Sequence, residues 1–358
     1  MLSKRRTARY LLAAALGSMF AANAVAAVLS GTVADSSGQA IEGAIVTLTD
    51  KRGVGESVFT DRQGAYALST RLQGDLDLRV RKRYHKDEQR KLTLKASEKT
   101  TLRVSLAPLT TPTELSEDHP SLSHFARINF DKDAKARFSR ENFTRDCLTC
   151  HQLGNAFTRA PRPPEGWVPS TQRMHGYLGN TDADAIKARS ELMSKTFDGS
   201  PVTSKPVIPT DPLLYKAKVY QWRLDGANVP HDAAAHMGNN KIYTVDMFAG
   251  YVLETDLKSG KTNRYQEPAQ GMPPGGAFGK AGAPAPYGLT VPRAPHSLAE
   301  GKDGKFYLTD SIGASIGVFD PKSKKFEHYD VGSGAVYPHT IRVDKAGVAW
   351  STMAFSNQ

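Results

Sequence analysis

The residues best suited to chemistry are two cysteines and a histidine that lie within five positions. Cys147 and Cys150 are the only cysteines in the 358-residue chain, and His151 directly follows the second. Two thiols at this spacing could form a disulfide, a redox pair, part of a metal site or the attachment point of a c-type haem. These alternatives differ in the further residues that each one needs.

The pattern C-x-x-C-H is the one by which a c-type haem is attached to a protein. The two thiols form thioethers with the porphyrin, and the adjacent imidazole becomes the proximal iron ligand. A disulfide gives His151 no role, a thioredoxin-like pair needs a βαβ setting, and zinc needs about four ligands. We therefore predict one haem c, bound covalently through Cys147 and Cys150 with His151 on the iron. The other three kinds of site remain as alternatives.

The second iron ligand is predicted from residues farther along the chain. A methionine in that position raises the reduction potential of the iron. The stretch PPEGWVPSTQRMHGYLGNTDADAIKARSELMSKTF resembles the end of small cytochrome c domains that are fused to propellers or to quinohaem amine dehydrogenases. The resemblance implies Met174 as the distal ligand and His175 as the second choice. Met193 is predicted to pack in the core, and Trp167 to pack against the porphyrin edge.

The first 27 residues have the pattern of a cleavable signal peptide. A basic start is followed by the short apolar run YLLAAALGSMF and by the small residues AANAVAA, as a secretory leader requires. The apolar run is well short of the ~20 residues that span a bilayer. We predict a periplasmic protein whose mature chain, from residue 28 on, has no transmembrane segment.

The net charge of +11 favours acidic partners only weakly. No nucleic-acid-binding motif is present, so nucleic acid is not expected as a partner. The partners that we predict are a periplasmic redox protein and, for the last part of the chain, a small-molecule or carbohydrate substrate.

Residues 28–108 predict a small antiparallel β-sandwich. Seven short runs alternate apolar and polar residues and are separated by Gly, Asp and Ser turns. The pieces SGTVADSSGQAIEGAIVTL and TDRQGAYAL resemble the carboxypeptidase regulatory-like family, a transthyretin-like sandwich. That resemblance implies a fold rather than an activity.

The middle of the chain is predicted to be a small helical domain between two linkers. Residues 109–124 and 201–213 are rich in Pro, Ser and Thr, which is typical of linkers. Residues 125–200 contain helix-like apolar spacing and the C-x-x-C-H motif. We therefore predict a cytochrome c domain over residues 125–200.

Residues 214–358 repeat a unit that opens with Pro-His. The three histidines are His231, His296 and His339. A period of about 40–45 residues with several short strands is typical of a β-propeller. Motifs such as GKFYLTDSIGASIGVFDPKSKKFEHYD resemble the streptogramin lyase (virginiamycin B lyase-like) propeller family. Because only two units and part of a third are present, we predict an incomplete propeller and a truncated chain.

Equivalent positions in a propeller converge on its central channel, so the three histidines are predicted to gather there. They could hold a metal or supply a base, although packing of a repeat-defining turn is the favoured interpretation. His236 and Met237 interrupt the repeat and could have a special role or make a loop contact. The lyase resemblance implies a metal-assisted elimination that opens a cyclic ester. None of the catalytic residues of that family can be carried over to a position of this chain.

These patterns predict a mainly β, multidomain protein and leave three functions open. The first is a periplasmic c-type cytochrome fusion that transfers electrons and docks a partner or substrate on its propeller. The second is a lyase-like or lactonase-like propeller enzyme with an accessory haem. The third is a scaffold that binds carbohydrate or protein.

Overall fold

The chain is multidomain and mainly β, with several sheets and few helices. The computed structural model describes residues 26–130, 140–148, 152–177, 181–204, 206–207, 211–236, 238–332, 336–354 and 356. Cys150, His151, Met237 and most of the predicted signal peptide lie outside these residues. In the part of the chain that is described, no helix is long and apolar enough to cross a membrane.

Residues 27–106 form the predicted β-sandwich. Its strands are β1 (Ala27–Asp35), β2 (Ile45–Thr49), β3 (Gly55–Phe59), β4 (Ala65–Thr70), β5 (Gly74–Arg81), β6 (Glu88–Leu94) and β7 (Lys99–Leu106). One sheet has the order β4-β1-β7 and the other the order β6-β5-β2-β3. The pairing of β1 with β7 is parallel, whereas the other pairs are antiparallel. The sandwich is therefore mixed, which differs from the all-antiparallel prediction.

Alternation of side chains decides which face of each strand is buried. In β5, Leu76, Leu78 and Val80 are almost fully buried, while the residues between them are exposed. Successive side chains of a strand point to opposite faces, so this pattern commits one face to the core between the two sheets. The basic residues of β5 lie on the other face, where Arg79 pairs with Asp87.

Gly31 allows β1 and β7 to approach closely. Its φ is +155°, and a Cβ built there would lie 1.8 Å from the carbonyl oxygen of Leu102 in β7. Only glycine fits such a contact without movement of the backbone.

The helical segment, residues 112–202, follows the sandwich. Its helices are α1 (Pro112–Glu117), α2 (Ser121–Phe125), α3 (Arg140–Leu148), α4 (Pro164–Tyr177) and α5 (Ala183–Thr196). Asp182 caps α5 by accepting from the backbone N–H groups of Asp184 and Ala185.

The stretch predicted as a linker over residues 109–124 contains α1 and the start of α2. Thr111 and Glu114 form a capping box at the start of α1, with Pro112 in its first turn. The Ser116 hydroxyl is buried and accepts from the backbone N–H of Val202. The stretch is thus packed against the end of the helical segment instead of being an extended connection.

The predicted repeat region begins with a strand that belongs to the sandwich. After a single 3-10 turn at Leu214–Lys216, β8 (Lys218–Gln221) pairs antiparallel with β3 and extends the second sheet of the sandwich. Lys218 also pairs with the buried Glu56 at 2.6 Å. This pairing joins residues that are far apart in the sequence, and alternation within one strand does not predict it.

The repeats fold into consecutive antiparallel sheets. The first repeat sheet contains β9 (Pro230–His236), β10 (Lys241–Asp246), β11 (Tyr251–Asp256) and β12 (Thr262–Gln266). The second contains β13 (Pro295–Glu300), β14 (Phe306–Asp310), β15 (Ser315–Asp320) and β16 (Lys325–Asp330). In both, strands pair in chain order. A pair, β17 (Pro338–Val343) and β18 (Ala349–Met353), begins a third unit.

The two repeat sheets share one apolar core. Tyr243 and Val252 of the first sheet pack in a single buried cluster with Phe306 and Phe319 of the second. The 65-residue spacing between the first two Pro-His pairs is explained by an insert between the sheets, which contains the short helix α6 (Gly276–Lys280).

Candidate functional site

Cys147 lies in the last turn of α3, and its side chain packs against the apolar core of the helical segment. Burial raises the pKa of its thiol to about 12, so the sulfur is neutral at physiological pH. The two other residues of the predicted motif, Cys150 and His151, lie outside the described residues.

The core beside Cys147 is rich in aromatic side chains. Trp167 is 3% exposed and packs against Phe197, with a ring-centroid distance of 5.9 Å. The guanidinium carbon of Arg162 lies 4.4 Å from the Trp167 ring centroid, and the indole Nε1 has no hydrogen-bond partner. Met193 is buried in the same core, as predicted.

Helix α4 carries both candidates for the second iron ligand. Trp167, Thr171 and His175 are buried at spacings of four residues, and they form the inward face of the helix. Met174 is half-buried at the margin of this face. Neither Met174 nor His175 is therefore fully exposed to solvent, and His175 is the more deeply buried of the two.

His175 belongs to a buried polar chain that sequence reasoning missed. Arg189 donates from Nη1 to His175 Nε2 at 2.6 Å, and its Nη2 lies 2.8 Å from Asp146 Oδ2. Burial and the Arg189 charge lower the pKa of His175, which keeps the imidazole neutral. Its Nδ1 is buried and has no partner.

Asp146 precedes Cys147 directly and is ionised in this chain. Burial opposes ionisation, but hydrogen bonds from Arg145 and Arg189 leave the pKa of Asp146 lowered. The sequence contained one signal for this buried polar chain. Arg189 is a basic residue on the face of α5 that also carries the apolar residues Ile186 and Met193.

The three repeat histidines come together, as predicted. His231, His296 and His339 are each the second residue of β9, β13 and β17. Their rings form a row in which neighbouring centroids are 3.6 Å and 4.1 Å apart. We call this arrangement the histidine row.

Two members of the histidine row, His296 and His339, have lowered pKa values. Burial, together with the neighbouring His231 and His339, lowers the pKa of His296 to about 3. Burial and His231 likewise lower the pKa of His339. His296 Nδ1 lies 2.9 Å from the backbone oxygen of His339 and donates to it. The row thus packs the start of successive sheets, with the His231 imidazole exposed at one end.

His236, which interrupts the repeat pattern, makes a contact between sheets. Its Nδ1 lies 2.6 Å from Glu300 Oε1. The neighbouring Met237 lies outside the described residues.

Glu254 is a buried carboxylate that joins the two repeat sheets. It accepts from Lys241 and Tyr243 in its own sheet and from Lys324, which lies directly before β16 of the second sheet. Burial alone would raise its pKa, but these hydrogen bonds lower the pKa of Glu254 to about 2.

We expect Glu254 to make the repeat region sensitive to acid. A carboxyl with a lowered folded-state pKa stabilises the fold above its ordinary pKa of 4.5, and this stabilisation is lost as the pH falls towards 2. The loss amounts to about 3 kcal/mol. Glu254→Gln should flatten the profile of melting temperature against pH in this window. Glu327→Gln, at an exposed carboxylate, should leave the slope unchanged, and equal slopes in all three proteins would contradict the assignment.

A second buried group of ionisable side chains lies between the repeat sheets. Glu267, Asp310 and His328 each offer a ligand atom, and these atoms lie within 4.8 Å of one another. We call this the inter-sheet cluster. Sequence reasoning did not single it out, because its residues come from three separate strands or strand ends.

Residues 28–107 match the carboxypeptidase regulatory-like domain, which agrees with the sandwich. A search of curated proteins finds no match to the chain. Among solved structures, virginiamycin B lyase from Staphylococcus aureus is 14% identical, with a TM-score of 0.29. A catalytically inactive variant of that lyase with quinupristin is 18% identical, with a TM-score of 0.28. Both matches cover 38% of this chain and 39% of the lyase, so the chain spans about two fifths of the lyase length.

A third solved structure, Kuenenia stuttgartiensis hydrazine synthase, is 16% identical to this chain. The match has a TM-score of 0.25 and covers 36% of this chain and 32% of the other.

Proposed function

We propose that this chain is a periplasmic c-type cytochrome fusion protein that binds one haem c covalently and transfers electrons. Cys147 and Cys150 would hold the ring, with His151 and Met174 on the iron. The observation that carries the proposal is the C-x-x-C-H sequence, whose first cysteine lies at the end of α3 against an aromatic core. When bound, the haem would supply one-electron exchange between two iron oxidation states.

The residues around Cys147 fit such a group. The surroundings are mainly apolar and aromatic, and Trp167 Nε1 and His175 Nδ1 are buried there without a hydrogen-bond partner among the described residues. Buried polar atoms of native proteins almost always have hydrogen-bond partners. Two such atoms without partners in one core are expected where a bound group occupies the space beside them. A half-buried Cys147 sulfur that packs against this core is compatible with a thioether.

The hydrogen bonding of His175 favours Met174 as the distal ligand. His175 Nε2 already accepts from Arg189, and Arg189 is fixed by its ion pair with Asp146. If Nε2 of His175 bound the iron, its hydrogen bond from Arg189 would have to break. In this proposal His175, Arg189 and Asp146 position the end of α4 and hold the segment around Cys147 in place.

The proposal assigns a role to each part of the chain. Residues 28–108 are a transthyretin-like sandwich, residues 125–200 a cytochrome c domain, and residues 214–358 an incomplete propeller. The propeller would dock a periplasmic redox partner or a small-molecule or carbohydrate substrate, after a signal peptide over residues 1–27 has directed export.

The test is a visible spectrum of the protein exported to the periplasm. We expect reduced α and Soret bands of c type that stay with the polypeptide after acid-acetone extraction. Cys147→Ala combined with Cys150→Ala should remove these bands. Wild-type protein that folds without retained haem in a strain with the attachment machinery would refute the proposal.

The distal ligand is tested by two methionine variants. Met174→Ala should convert the iron from low-spin to high-spin and lower its potential, because the thioether ligand is lost. Met193→Ala should keep the low-spin spectrum, since Met193 packs in the core. Visible and electron-paramagnetic-resonance spectra distinguish the two. A low-spin Met174→Ala protein that becomes high-spin only with His175→Ala would assign the iron to His175.

The histidine row supports a second candidate, a lyase-like or lactonase-like activity on a cyclic ester. Its imidazoles, whose ring centroids lie 3.6 Å and 4.1 Å apart, could act as a base or as metal ligands. Incubation of the chain with Mg²⁺ and a cyclic depsipeptide should then give a ring-opened product by mass spectrometry. The product should disappear with His231→Ala, and an inactive wild-type chain would leave the row with a packing role.

A further inference from the structure

The inter-sheet cluster joins the two repeat sheets through buried ionisable groups. Glu267 follows β12 of the first sheet, whereas Asp310 ends β14 and His328 lies on β16 of the second. His328 Nε2 lies 3.0 Å from Glu267 Oε1. Glu267 is 4% exposed and Asp310 is 0% exposed.

Two atoms of the cluster are buried and have no hydrogen-bond partner in the part of the chain that the structure describes. They are Glu267 Oε2 and His328 Nδ1. A buried carboxylate oxygen without a partner is costly. Both residues belong to the cluster whose ligand atoms lie within 4.8 Å of one another. The cluster therefore has lone pairs that could bind a metal ion and that no described side chain occupies.

The cluster is also short of positive charge. Arg293 is the cation in contact with it, and its Nη1 donates to Asp310 Oδ2 at 2.5 Å. Two carboxylates therefore face one guanidinium and one imidazole.

Neighbouring residues position the two carboxylates. Asp310 accepts from Arg293, from the Ser315 hydroxyl at 2.6 Å and from the Ala294 backbone N–H at 3.1 Å. A carboxylate has about four acceptor positions, so one remains. At Gly317 in β15, a Cβ would lie 2.9 Å from Glu267 Oε1, and the absence of a side chain leaves room for the carboxylate.

We propose that Glu267, Asp310 and His328 bind a divalent transition-metal ion of the zinc type, which links the two repeat sheets. One imidazole nitrogen and two carboxylate oxygens are a ligand set that suits Zn²⁺, with water in the fourth position. Ligand atoms on a tetrahedral zinc at about 2.1 Å are roughly 3.4 Å apart, so a small inward movement closes the site. Arg293 and Ser315 act as the outer partners that orient Asp310.

The test is zinc binding by the full chain after treatment with a chelator. Calorimetric titration with Zn²⁺ should show a site that Glu267→Gln weakens by about 100-fold or more and whose occupation raises the melting temperature. The matched control is Glu327→Gln, an exposed carboxylate next to His328 in the sequence, which should bind as wild type does. The histidine row is the alternative place where the ion could bind. His296→Ala changes that row and should therefore leave Zn²⁺ binding at the inter-sheet cluster unchanged.

Two further measurements keep the proposal open to refutation if Glu267→Gln fails to fold. Co²⁺ added to the wild-type chain should give the visible d–d absorption of a tetrahedral site. Gly317→Ala should weaken Zn²⁺ binding because its methyl group displaces the Glu267 carboxylate. Equal zinc stoichiometry and affinity in wild type and a folded Glu267→Gln would overturn the proposal, as would a wild-type chain that binds neither ion.

Discussion

Replacing Arg189 with alanine is expected to lower the free energy of unfolding of the helical segment by about 3–5 kcal/mol. Arg189 is 2% exposed and holds Asp146 and His175 together. Without it, Asp146 would be a buried anion whose remaining counter-charge among the described residues is the exposed Arg145. Denaturant unfolding followed by the helical far-ultraviolet circular dichroism measures the loss.

The matched control is a surface ion pair of the same segment. Arg127 pairs with Asp198 at 3.1 Å, and both side chains are partly exposed. Arg127→Ala should therefore lower stability by about 1 kcal/mol or less. The double variant Arg189→Met with Asp146→Leu should recover part of the loss, because it removes both charges. Similar losses in Arg189→Ala and Arg127→Ala would show that the buried pair has no special weight.

The second large effect is expected at Gly31 in the sandwich. A methyl group there would meet the Leu102 carbonyl oxygen at 1.8 Å, and β1 is the central strand between β4 and β7. Moving β1 to relieve the clash would weaken both pairings. We expect Gly31→Ala to lower the stability of the sandwich by about 2–5 kcal/mol, as calorimetric unfolding would measure.

Gly38 provides a control with a similar backbone restriction but open surroundings. Its φ is +88°, and no heavy atom lies within 4 Å of a Cβ built there. Gly38→Ala should lower stability by about 1 kcal/mol through backbone strain alone. If Gly31→Ala and Gly38→Ala shift the transition equally, the close approach of β1 and β7 does not limit stability.

Local patterns in the sequence predicted the structural features that depend on residues close together in the chain. Alternation in GDLDLRVR is sufficient to place Leu76, Leu78 and Val80 on the buried face of β5. The repeat of Pro-His predicted the histidine row, because equivalent positions of a repeat occupy equivalent places in space. The missed helix α1 also had a local signal, the Thr111–Glu114 capping box in a stretch whose Pro content favoured a linker.

Pairings between distant residues could not be predicted in this way. Asp146 and Arg189 meet because α3 and α5 pack together, and nothing near either residue in the sequence indicates its partner. The inter-sheet cluster likewise draws Glu267, Asp310 and His328 from two sheets. Periodicity predicts that a side chain is buried or exposed, whereas its polar partners are set by tertiary packing.

The pairing of β3 with β8 makes the helical segment an insertion between the two sheets of one sandwich. The chain leaves from β7, which pairs with β1 in one sheet, builds the helices, and returns as β8 beside β3 in the other sheet, with Val58 opposite Lys218. Strand pairing in the sandwich therefore anchors both ends of the helical segment. Trp222, just after β8, packs on the sandwich core and donates to Leu257 of the repeat region. The helices around Cys147 are therefore tethered at both ends, and an enzyme that cuts the chain once between α5 and β8 would release only one of the two tethers.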